Sequence, residues 1–145
     1  MLTDKNILSK TECGQINPVT LAFVGDAVYT LYVKERLVLS GEGKAGEFQR
    51  ASAQIVSAKG QSEFLDKILP MLTEEESAIF RRGKNAKKAS KSKSATNLEY
   101  SRSTGFEAVL GYLYLTGEDE RIRELLAQGD DSVYRRVEQE KVFKP

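Results

Sequence analysis

The sequence predicts an all-α protein, a helical bundle, on three observations. Apolar residues recur at helical spacing along most of the 145 residues, and helix start signals precede these stretches. No segment shows the alternation of apolar and polar residues that marks a β-strand. With 40% hydrophobic and 30% charged residues, the chain fits one soluble domain, 1–145, with a real core.

The first half of the chain is predicted to hold three helices. The first begins at Asn17-Pro18, because asparagine caps free N–H groups and proline suits the first helical position. Its apolar residues are so numerous that we expect burial on more than one face. A second helix is expected from about residue 46 to residue 69. Thr73 and Glu76 form a capping box that opens a short third helix, with Gly83 as its C-cap.

The second half is predicted to hold three more helices. One helix is expected to begin at a cap formed by Ser103 or Thr104 and to end at Gly117. A further helix is expected over residues 118–128. The last helix is expected to begin at a cap formed by Asp131 or Ser132.

A net charge of +1 hides a basic segment between the two halves. Residues 81–103 hold eight Lys or Arg and one Glu, whereas the flanks 1–80 and 104–145 each carry −3. Residues 84–94 lack aromatic and β-branched side chains, so we expect a mobile basic loop at about 83–97. A solvated lysine-rich loop is the plain interpretation, and binding to a polyanionic phosphate is the functional one.

The composition excludes much catalytic chemistry. The chain has no His, so it has no imidazole base and no His-ligated zinc, and its one Cys forms no intrachain disulfide. No uninterrupted apolar stretch reaches the roughly 18 residues of a membrane span, and the N-terminus lacks a signal-peptide pattern. We therefore expect a cytoplasmic protein with no membrane partner.

Two carboxylates stand in unusual surroundings. Asp26 lies inside an apolar helix beside Gly25, and Glu107 lies one turn before Gly111. If the two helices pack at these glycines, the carboxylates converge, and two such ligands with waters are a typical Mg²⁺ or Mn²⁺ arrangement. In the alternative, Asp26 bonds elsewhere and Glu107 is an exposed residue of a first helical turn.

Two segments resemble the ribonuclease III family in its compact Mini-III branch. They are NPVTLAFVGDAVYTLYVKERL at 17–37 and YSRSTGFEAVLGYLYLTG at 100–117, with FRRGKNAK at 80–87 between them. The resemblance covers nearly the whole chain. It implies a single endonuclease domain that lacks the appended double-stranded-RNA-binding domain.

The resemblance implies a metal-dependent endoribonuclease that cleaves double-stranded RNA and leaves 5′-phosphate and 3′-hydroxyl ends. Asp26 and Glu107 fall on the signature acids, so both are expected to be catalytic and to bind Mg²⁺, for which Mn²⁺ can substitute. The family acts as a homodimer and usually matures precursor 23S ribosomal RNA. The residues expected to bind RNA are Arg81, Arg82, Lys84, Asn85, Lys87, Lys88, Lys91 and Lys93.

The sequence departs from the larger family members at three positions. Val19, Ala22 and Thr104 stand where those enzymes carry further acids. We therefore expect a site with few protein ligands. These departures also leave open a non-catalytic RNA-binding or ribosome-binding module of the same fold. A helical protein-interaction domain is a further alternative, although it leaves Asp26 unexplained.

Overall fold

The computed structural model describes residue 2 and residues 7–41, 43–86 and 97–129. Over these residues the chain is helical and contains no β-strand, so the prediction of an all-α fold is confirmed. The helices are α1 Lys10–Gly14, α2 Pro18–Ser40, α3 Ala45–Val56, α4 Ala58–Ile68, α5 Glu74–Asn85, α6 Asn97–Leu115 and α7 Asp119–Ala127, with a 3₁₀ turn at Leu69–Met71. None of the described helices is long and apolar enough to cross a membrane.

The two strongest start signals act as predicted. The Asn17 side chain accepts a hydrogen bond of 2.8 Å from the backbone N–H of Val19, with Pro18 at the first position of α2. Thr73 and Glu76 form the reciprocal hydrogen bonds of a capping box at the start of α5. Such caps satisfy N–H groups that have no partner within the helix, so local sequence is enough to fix these boundaries.

Helix α6 is the centre of the bundle. Its residues are buried almost all round from Ser103 to Leu113, with Glu107 as the one exception. Helix α2 packs along it and contributes Leu21, Val33 and Leu37 to the core, each with no exposed surface. The remaining helices surround this pair, so α2 and α6 determine the geometry of the fold.

The face of α2 turned away from α6 is not buried within the chain. Phe23, Leu31 and Val38 are 79%, 55% and 58% exposed. The expectation of burial on more than one face is therefore wrong for a single chain.

The long helix expected over residues 46–69 is two helices. The chain turns at Ser57, whose hydroxyl accepts a hydrogen bond of 3.0 Å from Gly60 N–H and donates one of 2.8 Å to Gln54 O. Gly60 lies so close to the end of α3 that a Cβ atom there would overlap the carbonyl oxygen of Gln54. Apolar spacing continued across this corner, so the pattern alone concealed it.

Two predicted boundaries near the basic segment are also wrong. Helix α5 continues past Gly83 to Asn85. Gly83 is instead a contact with α6, since a Cβ atom there would lie 2.9 Å from Gly105 Cα. Helix α6 begins at Asn97, so Ser103 and Thr104 are not caps. Both hydroxyls donate to Tyr100 O within the helix at 3.0 Å.

The predicted end of α6 is confirmed. Gly117 has a φ of +77°, and Glu118 N–H donates to Leu113 O at 2.8 Å. A left-handed residue two positions after the helix suits glycine, which carries no Cβ penalty there. The predicted helix over 118–128 is α7.

Some predictions fall outside the described residues. They are the interior of the basic loop at 87–96 and the last helix with its caps Asp131 and Ser132. Residues 83–85 at the start of the predicted loop are helical, and residue 97 at its end already belongs to α6.

The contact between α2 and α6 gives a first prediction. A Cβ atom on Gly111 would overlap the carbonyl oxygen of Leu21, and the helix backbones cannot separate without opening the core. We expect Gly111→Ala to lower the free energy of unfolding by about 3 kcal/mol or more, measured by chemical denaturation. Gly14→Ala is the control, since a Cβ there meets nothing within 4 Å. Equal stability of the two variants would contradict the proposed packing role.

Candidate active site

The two unusual carboxylates meet where α2 crosses α6. A Cβ atom on Gly25 would overlap the carbonyl oxygen of Glu107, and one on Gly111 would lie 3.2 Å from Gly25 N. Asp26 follows the first glycine and Glu107 precedes the second by one turn. The close approach of the two backbones therefore puts the two side chains next to each other.

The pair is asymmetric in its exposure to water. Asp26 is exposed, whereas Glu107 is half-buried. The pKa of Glu107 is raised to about 8: burial is the main cause, the negative charge of Asp26 and a hydrogen bond with it add to the rise, and a hydrogen bond from Gln61 opposes it. In the absence of a cation, Glu107 therefore holds a proton at neutral pH.

Gln61 on α4 is the third polar side chain at this place. It is 1% exposed, and its amide Nε2 donates to Glu107 Oε2 at 3.3 Å and to Val56 O at 2.8 Å. Sequence reasoning missed this residue, because in a continuous helix Gln61 looks like an ordinary surface glutamine. The one indication in the sequence was Ser57 followed by Gly60, which is typical of a helix start although it lies inside a continuous apolar pattern.

Three aromatic rings pack against one another and connect the three helices that carry these polar groups. Tyr29 of α2 and Phe64 of α4 each make an edge-to-face contact with Phe106 of α6, at 5.4 Å between ring centroids. Tyr29 and Phe64 stack at 6.2 Å. Each ring lies within one helical turn of the polar residue on its own helix, so the contacts between the rings hold these three helices together beside the site.

The residues present fit a cation with few protein ligands. The part of the chain described by the structure contains no cluster of three or more His, Cys, Asp or Glu side chains able to hold a metal. Thr104, at one of the positions where an acid is missing, is buried and donates to its own helix. Two carboxylates with waters and substrate oxygens are sufficient for Mg²⁺, which rarely has an all-protein ligand set.

The residues expected to bind RNA are in different situations. Arg81 and Asn85 are exposed on the last turns of α5. Arg82 instead donates to Gly14 O at 2.7 Å and to Ile16 O at 3.3 Å, so it also joins α5 to the segment before α2. Lys84 is half-buried. Lys87, Lys88, Lys91 and Lys93 lie outside the described residues.

Comparison with known proteins gives one consistent result. The family model of the ribonuclease III domain matches residues 19–118. Mini-ribonuclease 3 of Symbiobacterium thermophilum is 44% identical over 118 residues, which cover 81% of this chain and 91% of that protein. Mini-ribonuclease 3 of Brevibacillus brevis is 44% identical over 112 residues, covering 77% and 84%.

A solved structure has a similar fold. A crystal structure of a Fusobacterium nucleatum protein superimposes with a TM-score of 0.72 at 31% identity, covering 78% of this chain and 92% of that one. The match to the family model spans both helices that carry the carboxylates. The chain belongs to the ribonuclease III family, in its Mini-ribonuclease 3 branch.

Proposed function

We propose that the protein is an endoribonuclease that uses Mg²⁺, or Mn²⁺ in its place, to cleave double-stranded RNA. The observation that carries this proposal is the pairing of exposed Asp26 with half-buried Glu107 at the crossing of α2 and α6. Perturbed carboxylates cluster at functional sites, and a protein without histidine needs another source of a nucleophile at neutral pH.

In this mechanism Asp26 and Glu107 would hold the cation. When bound, Mg²⁺ supplies a Lewis acid that lowers the pKa of water and neutralises charge developing on a phosphate. Glu107 would hold the cation in its ionised form, and the exposed position of Asp26 leaves the site accessible to a phosphate. The products carry 5′-phosphate and 3′-hydroxyl ends.

We assign recognition of the duplex to the basic segment. Side chains that are long and positively charged suit the phosphates of an A-form duplex, which is recognised mainly through its shape, phosphates and 2′-hydroxyls. Precursor 23S ribosomal RNA in the cytoplasm is the proposed substrate, as the resemblance to the Mini-III branch implies.

A second function has one observation in its favour. The absence of acids at Val19, Ala22 and Thr104 leaves two carboxylates where larger family members have more. A non-catalytic module of the same fold that binds RNA or the ribosome is the alternative. It predicts binding to duplex RNA without cleavage in the presence of Mg²⁺.

We further propose a homodimer, with the exposed face of α2 as its interface. Val19, Phe23 and Leu31 form an apolar stripe at intervals of four and eight residues, beside a hollow of about 340 Å³ lined mostly by apolar side chains of α2, Tyr114 and Ile122. Exposed apolar side chains grouped on one helix, next to a mainly apolar hollow, are typical of an interface.

The metal site gives a prediction for cleavage. Asp26→Asn and Glu107→Gln each remove a charged ligand at nearly constant volume, so we expect single-turnover cleavage of duplex RNA in Mg²⁺ to slow by about 100-fold or more. Asp66→Asn is the matched control, since Asp66 is an exposed carboxylate whose partner is Arg102. Near-wild-type rates for both site variants would refute the assignment.

The raised pKa of Glu107 gives a prediction for stability. Between about pH 4.5 and about pH 8 the folded protein keeps a proton that the unfolded chain releases, so the free energy of unfolding of the wild type falls as pH rises. Glu107→Gln removes this penalty. Without divalent cations, its unfolding temperature is expected to exceed that of the wild type by several degrees at pH 8.5, and by little at pH 5. Glu120→Gln, at an exposed position, is the control. A pH-independent difference would contradict the burial of a protonated Glu107.

The basic segment gives a prediction for RNA binding. Replacing Lys84, Lys87, Lys88, Lys91 and Lys93 together by glutamine should weaken binding to duplex RNA and flatten its dependence on salt. The logarithmic slope should fall by roughly one unit for each phosphate that the variant no longer neutralises. Replacing the same five residues by arginine is the charge-preserving control. An unchanged slope in the glutamine variant would count against this role.

The apolar stripe gives a prediction for assembly. Phe23→Glu places a charge on the proposed interface, so sedimentation at micromolar concentration should show a monomer where the wild type is a dimer. Leu98→Glu changes a residue that is also exposed but lies on α6, and it should leave the dimer intact. A wild-type protein that sediments as a monomer would contradict the proposed homodimer.

A further inference from the structure

Gln61 is a buried polar residue that the packing of the bundle does not require. It lies on α4, is 1% exposed, and belongs to neither of the two helices that carry the carboxylates. An apolar side chain of similar volume fills such a position without the cost of taking an amide out of water.

The orientation of the Gln61 amide is determined by its partners. Both neighbours of Nε2, Val56 O at 2.8 Å and Glu107 Oε2 at 3.3 Å, are oxygen acceptors, so the NH₂ group must face them. Val56 is the last residue of α3, and its carbonyl has no partner further along that helix. One N–H group is thus anchored on the backbone, and the other is directed at Glu107.

The corner between α3 and α4 also fixes the backbone of Gln61. Its N–H donates to Ser57 O at 2.9 Å, and the Ser57 hydroxyl binds both sides of the turn. At Gly60, the preceding residue, a Cβ atom would lie 2.7 Å from the carbonyl oxygen of Ile55, so only glycine permits this turn. The Gln61 side chain therefore starts from a rigid position close to α6.

Burial of the Gln61 amide has a free-energy cost for folding that its hydrogen bonds do not fully offset. Within the described chain, Gln61 Oε1 is buried and has no hydrogen-bond partner. A buried unpaired oxygen opposes folding, so stability alone gives no reason for glutamine at this position. A hydrogen bond from a fixed amide to one oxygen of a carboxylate is, by contrast, the usual way in which a protein orients a metal ligand.

We propose that Gln61 is a positioning residue, which holds Glu107 through Oε2 so that Oε1 is left for the divalent cation. This inference rests on the proposed function, because it takes Glu107 to be a ligand of that cation. Gln61 touches neither cation nor RNA in this arrangement, and it acts only through the orientation of Glu107.

The test is Mn²⁺ binding by the RNA-free protein, followed by electron paramagnetic resonance, together with the thermal unfolding midpoint. The variants are Gln61→Met and Gln61→Leu, which keep the volume approximately and remove the donor, and Glu107→Gln. Tyr112→Phe is the matched control, since it removes a 2.8 Å hydrogen bond to another carboxylate, that of Glu75, from the same helix α6. We expect both Gln61 variants to bind Mn²⁺ about tenfold or more weakly, with midpoints within a few degrees of the wild type. Tyr112→Phe should bind as the wild type does.

Failure of this inference is distinguishable from failure of the metal site. If Glu107→Gln weakens Mn²⁺ binding but the Gln61 variants bind within twofold of the wild type, the role of Gln61 is overturned and the metal site stands. If Glu107→Gln binds Mn²⁺ as the wild type does, both proposals fail. A loss of binding that only parallels a loss of folded protein, or that Tyr112→Phe shares, shows a structural role and overturns the proposal.

Discussion

The close contact of the α2 and α6 backbones at Gly25 and Gly111 is the constraint on which the rest of the structure depends. At both positions the carbonyl oxygen of the facing helix occupies the space of a Cβ atom. Helices packed through ordinary side chains lie about 8–10 Å apart, and glycines allow a closer approach. This approach completes the core between α2 and α6. It also brings Asp26 and Glu107 together, so the candidate active site lies at the same place as the closest contact between the two helices.

The site has a free-energy cost that its surroundings offset. Burial and the neighbouring Asp26 keep Glu107 protonated near neutral pH, which shows that its ionised form is poorly stabilised without a cation. The rings of Tyr29, Phe64 and Phe106 join the same three helices, each within one turn of the polar residue on its own helix. Edge-to-face pairs of this kind contribute about 0.5–1.5 kcal/mol each beyond the area they bury. Aromatic contacts between three helices thus lie next to a buried carboxyl whose ionised form is disfavoured.

The sequence predicted well those features that depend on a few neighbouring residues. Asn17 with Pro18 and Thr73 with Glu76 gave correct helix starts, because caps satisfy backbone groups only two or three positions away. The wrong helix boundaries occurred where the spacing of apolar residues was the main basis for the prediction. Apolar spacing runs through the corner at Ser57 without a break. Gly83 has the local pattern of a helix end, although its missing Cβ instead admits α6.

The sequence by itself determined the fold class, the family and the two carboxylates beside glycines, since all three follow from local composition and motif. Only the tertiary structure decided that Gln61 of α4 reaches Glu107 of α6, a contact across 46 positions. It also decided that one face of α2 stays exposed within the chain. The reason is physical: periodicity shows that a helix has an apolar face, whereas the partner of that face depends on where the other helices pack.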